Sequence, residues 1–221
     1  MSMTARLLSF FAVLLTVVTS RADNSGTIMI GRFTAQDLSG WEKKQFVNET
    51  DYSFTNDHGH WVLLAQSSGS ASGLVKKQKI DLNDTPYLKW SWQVLTTPTV
   101  TDEKTKVGDD YSARLYVIFS TGPWFWNTYA LNYVWNSSYP IGSIWSNAFT
   151  THARMLALRS KADGTGVWYT EKRNVKTDIE QVFGSKIDTI EAVAIMTDSD
   201  NSQSEAVAAY GDITFSRNEQ P

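Results

Sequence analysis

No cysteine occurs among the 221 residues. That absence excludes a disulfide framework, a thiol nucleophile, an iron–sulfur cluster, a cysteine zinc site and a lipid-modified N-terminal cysteine. Histidine is scarce, with only His58, His60 and His152. His58 and His60 flank a turn glycine and share one face of an extended strand, but two ligands do not close a transition-metal site. No Gly-x-Ser-x-Gly elbow, phosphate loop or dinucleotide glycine fingerprint is present. Lys and Arg number 20 against 23 Asp and Glu, a net charge of −3, so no basic field favours nucleic acid. No Pro/Gly/Ser-rich linker divides the chain, and no internal repeat or low-complexity tract is found.

What is present begins with an export pattern. Arg6 gives a positive start, Leu7 to Val18 is apolar except for Ser9 and Thr16, and Ser20 and Ala22 are the small residues of a cleavage site after Ala22. A helix over Leu7 to Val18 rises only about 18 Å, too short for a hydrocarbon core of about 30 Å. Residues 1–22 are therefore expected to be a signal peptide. Residues 23–221 are expected to be one domain in the periplasm or outside the cell, with no later segment that inserts in a membrane.

The body alternates with period two. Leu88, Trp90, Trp92 and Val94 share one face, while Lys89, Ser91 and Gln93 share the other. Asp110 to Ser120 alternates likewise. Further strands are expected over Thr27 to Phe33, His60 to Gln66, Gly73 to Ile80, Tyr129 to Trp135, Thr151 to Arg159, Gly166 to Val175, Ile190 to Thr197 and Ala206 to Phe215. Turn residues such as Asn56-Asp57-His58-Gly59 separate them. One short helix is expected over 177–183, capped by Thr177 or Asp178, with an Ile179, Val182 and Phe183 stripe and Gly184 as its stop. The fold class is all-β: a single β-sandwich, jelly-roll or galactose-binding-like in pattern.

Seven short pieces occur in order: Ser70 to Leu74, Lys106 to Asp110, Ala113 to Val117, Asn132 to Trp135, Glu171 to Val175, Thr197 to Asn201 and Ala209 to Ile213. Together, over Phe33 to Phe215, they resemble the exported bacterial family called domain of unknown function 3047. Asn174 departs from the aspartate the resemblance leads one to expect. The resemblance implies no activity.

The candidate ligand-binding residues follow from the strand pattern. Asp212 is expected to share a solvent or cleft face with Ala208, Tyr210 and Thr214, leaving Val207, Ala209, Ile213 and Phe215 for the core. Arg114, Tyr116, Tyr210 and Asp212 then form an outward polar set, with Arg114 paired to Asp110, Asp212 or Glu171 because an unpaired buried guanidinium is costly. Glu171 lies mid-strand. Glycoside hydrolysis needs two carboxylates about 5 to 10 Å apart, and Glu171 and Asp212 are the candidates. Nine tryptophans need an explanation. Trp90 and Trp92 belong to a core face, and Trp41, Trp61 and Trp168 are expected to plug core edges. Trp124, Trp126, Trp135 and Trp145 crowd together and are expected to stack on a sugar or another ligand, to pack under a long loop, or to contact a partner or the envelope.

Asp198, Asp200 and Asn201 sit just after an apolar strand and resemble an oxygen-rich calcium loop. Gln203 and Ala209 stand where an EF-hand needs glycine and an acid. A calcium site of another type arises if Asp109 or Asp110 folds in beside them; otherwise the segment is a turn whose side chains bond its own backbone. No other cofactor is called for. Three functions fit these readings: a non-catalytic module for a glycan or another small polar ligand, a polysaccharide hydrolase or lyase using Glu171 or Asp212, and a structural envelope protein.

Overall fold

The computed structural model describes residues 26–122, 124 and 127–219. The expected signal peptide and Trp126 lie outside the described residues.

The described chain is all-β, with two seven-stranded sheets packed face to face. The first sheet contains β1 (Thr27–Gly31), β3 (Asp51–Asp57), β4 (His60–Ser68), β6 (Tyr87–Thr96), β11 (Trp168–Asn174), β13 (Glu205–Tyr210) and β14 (Ile213–Ser216). The second contains β2 (Trp41–Val47), β5 (Ala71–Asp81), β7 (Ala113–Ser120), β8 (Thr128–Asn136), β9 (Ile144–Ser146), β10 (Ala153–Ser160) and β12 (Thr189–Asp198), in the order β2-β5-β12-β7-β8-β10-β9. Neighbours run antiparallel except β8 and β10, which are parallel.

The core lies between the sheets. Leu88, Trp90, Trp92 and Val94 from β6 meet Leu115, Val117 and Phe119 from β7 and Tyr133 and Trp135 from β8. Trp92 packs edge-on against both Trp90 and Trp135, with ring centroids 5.3 and 6.1 Å apart. Trp135 is thus a fully buried core residue, not part of a loop platform. Trp145 is buried too, in a smaller cluster with Tyr111 and Val134. Of the loop tryptophans, Trp124 is exposed, at 60%.

Among the described residues one α-helix, α1, spans Val175–Phe183. Its cap is Asn174, whose side chain accepts the Thr177 N–H at 3.1 Å, and Gly184 ends it in the left-handed region. The helix starts two residues earlier than expected, so Thr177 and Asp178 lie inside its first turn and neither caps it; the Asp178 carboxylate instead accepts from Arg173 and from the Tyr133 hydroxyl.

β6 organises the first sheet. One of its edges pairs with β11; the other is shared by β14 along its first half and β13 along its second. β13 and β14 are two pieces of one path, interrupted at Gly211 and Asp212. The interruption shifts the alternation: Ala208 and Tyr210 face the core before it, and Ile213 and Phe215 after it. Tyr210 therefore points inward, contrary to the uninterrupted period. Its hydroxyl donates to the Met196 carbonyl and shares a hydrogen bond with Thr197 Oγ1, both at 2.9 Å.

Candidate functional site

The break at Gly211–Asp212 opens a groove on the solvent face of the first sheet. Directly opposite residues of neighbouring strands project from the same face. Ser91 faces Thr170 across β6 and β11, Lys89 faces Thr214, and Thr214 faces Met29. These form the floor. The walls bring in Thr34, Asp57, His58, His60, Trp61, Trp168 and Asp212, around a volume of about 570 Å³.

Each wall group is fixed locally. The Gly211 N–H donates to the Ser91 carbonyl at 2.9 Å, which holds the break against β6. A Cβ on Gly211 would stand 2.1 Å from Ser91 Oγ, so only glycine leaves that hydroxyl its place. The Asp212 carboxylate accepts from the Thr34 N–H at 2.9 Å and the Thr34 hydroxyl at 2.6 Å. Trp168 Nε1 donates to Asp57 Oδ2 at 2.6 Å, which orients the indole. Trp61 is 38% exposed. Both tryptophans line the groove and do not plug the core edge. The arrangement combines indole rings with hydroxyl, ammonium and carboxylate groups, within the size range of small-molecule sites.

The structure disperses the other expected site residues. Glu171 is the register partner of Trp90, so it points inward. It accepts from Trp92 Nε1 at 3.1 Å and from Arg159 Nε at 2.7 Å, the latter reaching across from β10. Asp212 lies on the opposite face of the same sheet, so the two carboxylates do not form a hydrolytic pair. Tyr116 and Arg114 project from the outer face of the second sheet, where both are buried and Tyr116 bonds Met196 Sδ at 3.4 Å. Arg114 is paired, but with different partners from those expected. Nε donates to Asp198 Oδ1 at 3.0 Å, Nη2 contacts Asp198 Oδ2, and Asp109 lies 3.9 Å from Nη1. The Tyr111 ring stacks beneath the guanidinium, 4.4 Å away.

Around this pair gathers a second cluster. Both oxygens of Asp109 accept from Asn147 Nδ2 at 2.8 Å. Asp110 caps the turn after β12, accepting the Asn201 and Ser202 N–H groups at 3.1 and 2.6 Å. Asn201 Nδ2 bridges Asp110 and Asp200. Burial pushes the Asp109 carboxyl up to about 6 against the pull of Arg114. Burial and then the charge of Asp110 push Asp200 up to about 6.

The family described as protein of unknown function (DUF3047) matches residues 39–214. The chain belongs to this family. The matched stretch of this DUF3047 protein runs from just before β2 into β14, so it contains Trp61, Lys89, Ser91, Trp168, Thr170, Gly211 and Asp212. No curated protein matches the sequence. Among solved structures, the DUF3047 chain is similar to the family 30 carbohydrate-binding module of a Clostridium thermocellum cellulosomal cellulase, at 8% identity and a TM-score of 0.49, over 88% of this chain and 99% of that one. It is also similar to a variant of the Rhodothermus marinus Cel12A cellulase, at 12% identity and a TM-score of 0.49, over 86% and 99%. A third likeness is to the glycoside hydrolase domain of Endo-D from Streptococcus pneumoniae, at 13% identity and a TM-score of 0.39. That match covers 81% of this chain, which spans only 22% of the other.

Proposed function

We propose that this DUF3047 protein is a non-catalytic binding module for a glycan or a similar small polar ligand, seated in the groove over Ser91 and Thr170. The observation that carries this reading is the groove itself: Trp61 and Trp168 beside Ser91, Thr170, Lys89 and Asp212 in about 570 Å³. Sugar rings have apolar faces edged with hydroxyls. Indole rings match the faces, and fixed hydroxyl, ammonium and carboxylate groups match the edges. Export to the periplasm or exterior, with cleavage near Ala22, belongs to the same proposal and rests on the leader pattern. Amino-terminal sequencing of the exported protein tests it.

A glycan array followed by calorimetry on the positives tests the binding reading. Trp168→Ala is expected to weaken binding at least tenfold, about 1.4 kcal/mol. Trp124→Ala, outside the groove, is expected to leave it unchanged. Absence of binding to any sugar favours a structural role in the envelope.

A further inference from the structure

Lys89 is the charged member of the groove floor. It lies mid-sheet on β6, in register with Lys172 of β11 on one side and Thr214 of β14 on the other. Directly opposite residues share a face, so both lysines rise from the solvent face, in line with Ser91 and Thr170. Like charges placed opposite across strands are unfavourable. Lys89 is half-buried. Among the described residues it makes no hydrogen bond and no ion pair.

The carboxylates of the same groove do not supply the counter-charge. Asp57 and Asp212 both belong to its wall. Asp57 Oδ2 accepts from Trp168 Nε1 at 2.6 Å, and Oδ1 lies 3.7 Å from His58 Nε2. The two oxygens of Asp212 accept from the N–H and the hydroxyl of Thr34, at 2.9 and 2.6 Å. Neither acid is ion-paired with Lys89. A neutral ligand settling on the floor would strip water from the ammonium and return only hydroxyl acceptors. An anionic group would return a charge-assisted hydrogen bond, roughly twice as strong as a neutral one.

We propose that the ligand of this groove is an acidic saccharide whose anionic group rests on the Lys89 ammonium while its rings lie against Trp61 and Trp168. This rests on the binding reading given above and names its ligand class. An ammonium is a compact point charge with three donors. It therefore accepts the carboxylate of a uronic acid or a sulfate ester without the planar match that a guanidinium demands. Ser91 and Thr170, on the same floor, meet the sugar's hydroxyls. Lys89 sets the charge of the ligand, and the choice among acidic sugars falls to the rim, where Trp61, His58 and His60 stand.

The test is calorimetry on the whole chain at neutral pH with oligogalacturonates, oligoglucuronates and alginate oligomers, each beside its methyl ester, which keeps the sugar and removes the charge. Sulfated galactans form a second arm. An acid is expected to bind at least about tenfold more tightly than its ester. Lys89→Met keeps the aliphatic stem and removes the ammonium, and it is expected to abolish most of that preference, with thermal unfolding as the check on its fold. A salt titration of the unaltered protein needs no variant: raising sodium chloride from about 0.05 to about 0.5 M is expected to weaken binding of the acid several-fold and of the ester much less. Preference for sulfated over carboxylated sugars upholds the anionic ligand and names sulfate as its group. Esters bound as tightly as acids, with Trp168→Ala still weakening both, overturn the acidic ligand and leave the binding reading standing. A preference for acids that survives in a folded Lys89→Met overturns the role of Lys89. No binding of any saccharide, charged or neutral, overturns both this proposal and the binding reading.

Discussion

Gly211→Ala isolates the steric basis of the groove. Gly211 does not adopt a positive φ, so alanine meets no backbone penalty there. The obstacle is one atom: the new Cβ would stand 2.1 Å from Ser91 Oγ, while Ser91 Cβ stays at an ordinary 3.5 Å. Either the hydroxyl rotates into a poorer rotamer or β6 and the Gly211 segment move apart. Overpacking of this kind costs about 1–3 kcal/mol, offset by about 0.4–1 kcal/mol from the lower entropy of the unfolded chain. The net expectation is a loss of about 1–2 kcal/mol, or roughly 2–8 °C in melting temperature for a domain of this size. Removing the hydroxyl removes the obstacle. In a Ser91→Ala background, Gly211→Ala should therefore be neutral or stabilising by about 0.4–1 kcal/mol. Denaturant unfolding of the four proteins in the cycle measures the coupling, expected at about 1–3 kcal/mol. If Gly211→Ala costs the same with and without the Ser91 hydroxyl, the clash is not what holds glycine at this position.

Arg114→Ala would leave Asp198 buried without its partner, and a loss of about 3–5 kcal/mol is expected, read as a lower guanidinium midpoint with an unchanged slope. Asn174→Ala removes the α1 cap and should cost about 1 kcal/mol in the same assay, whereas Asn174→Asp should be neutral or mildly stabilising because it keeps the acceptor and adds a negative charge at the helix start. Trp135→Ala should cost about 3–5 kcal/mol and weaken the near-ultraviolet circular dichroism of the core. The opposite result, sugar binding lost with stability kept, would restore Trp135 to a binding role.

Much of the architecture was legible because a half-buried sheet imposes period two. The Leu88 to Val94 alternation names the core face of β6 and, equally, its outer face, where Lys89 and Ser91 now floor the groove. Period two does not say which sheet a strand joins. Arg114 and Asp212 thus read as neighbours, yet they project from opposite sides of the sandwich. Nor does it announce an interruption: two residues at Gly211–Asp212 reversed the facing of Tyr210. Trp61 and Trp168 read as plugs of the core edge because large apolar side chains are usually buried. Each strand's own pattern carries no trace of the neighbours that leave those rings at a groove wall. The one local clue to the break was Gly211 itself, a glycine inside an otherwise regular strand. Asp110 and Asp200 lie far apart in the chain, and only the fold, which brings the segment before β7 against the turn after β12, unites them.

β6 carries the tryptophan pair on one side and the groove floor on the other, and both its edges are paired. A surface built on the back of the deepest core strand cannot open through a local fluctuation. Its amides are expected to exchange hydrogen only when the whole domain unfolds, unlike those of the exposed turns. A ligand arriving there meets a template already rigid before contact, so little ordering entropy is lost on binding. The same rigidity denies the floor any reshaping, and discrimination between ligands must then reside in the rim, where Trp61, His58 and His60 can vary without disturbing the fold.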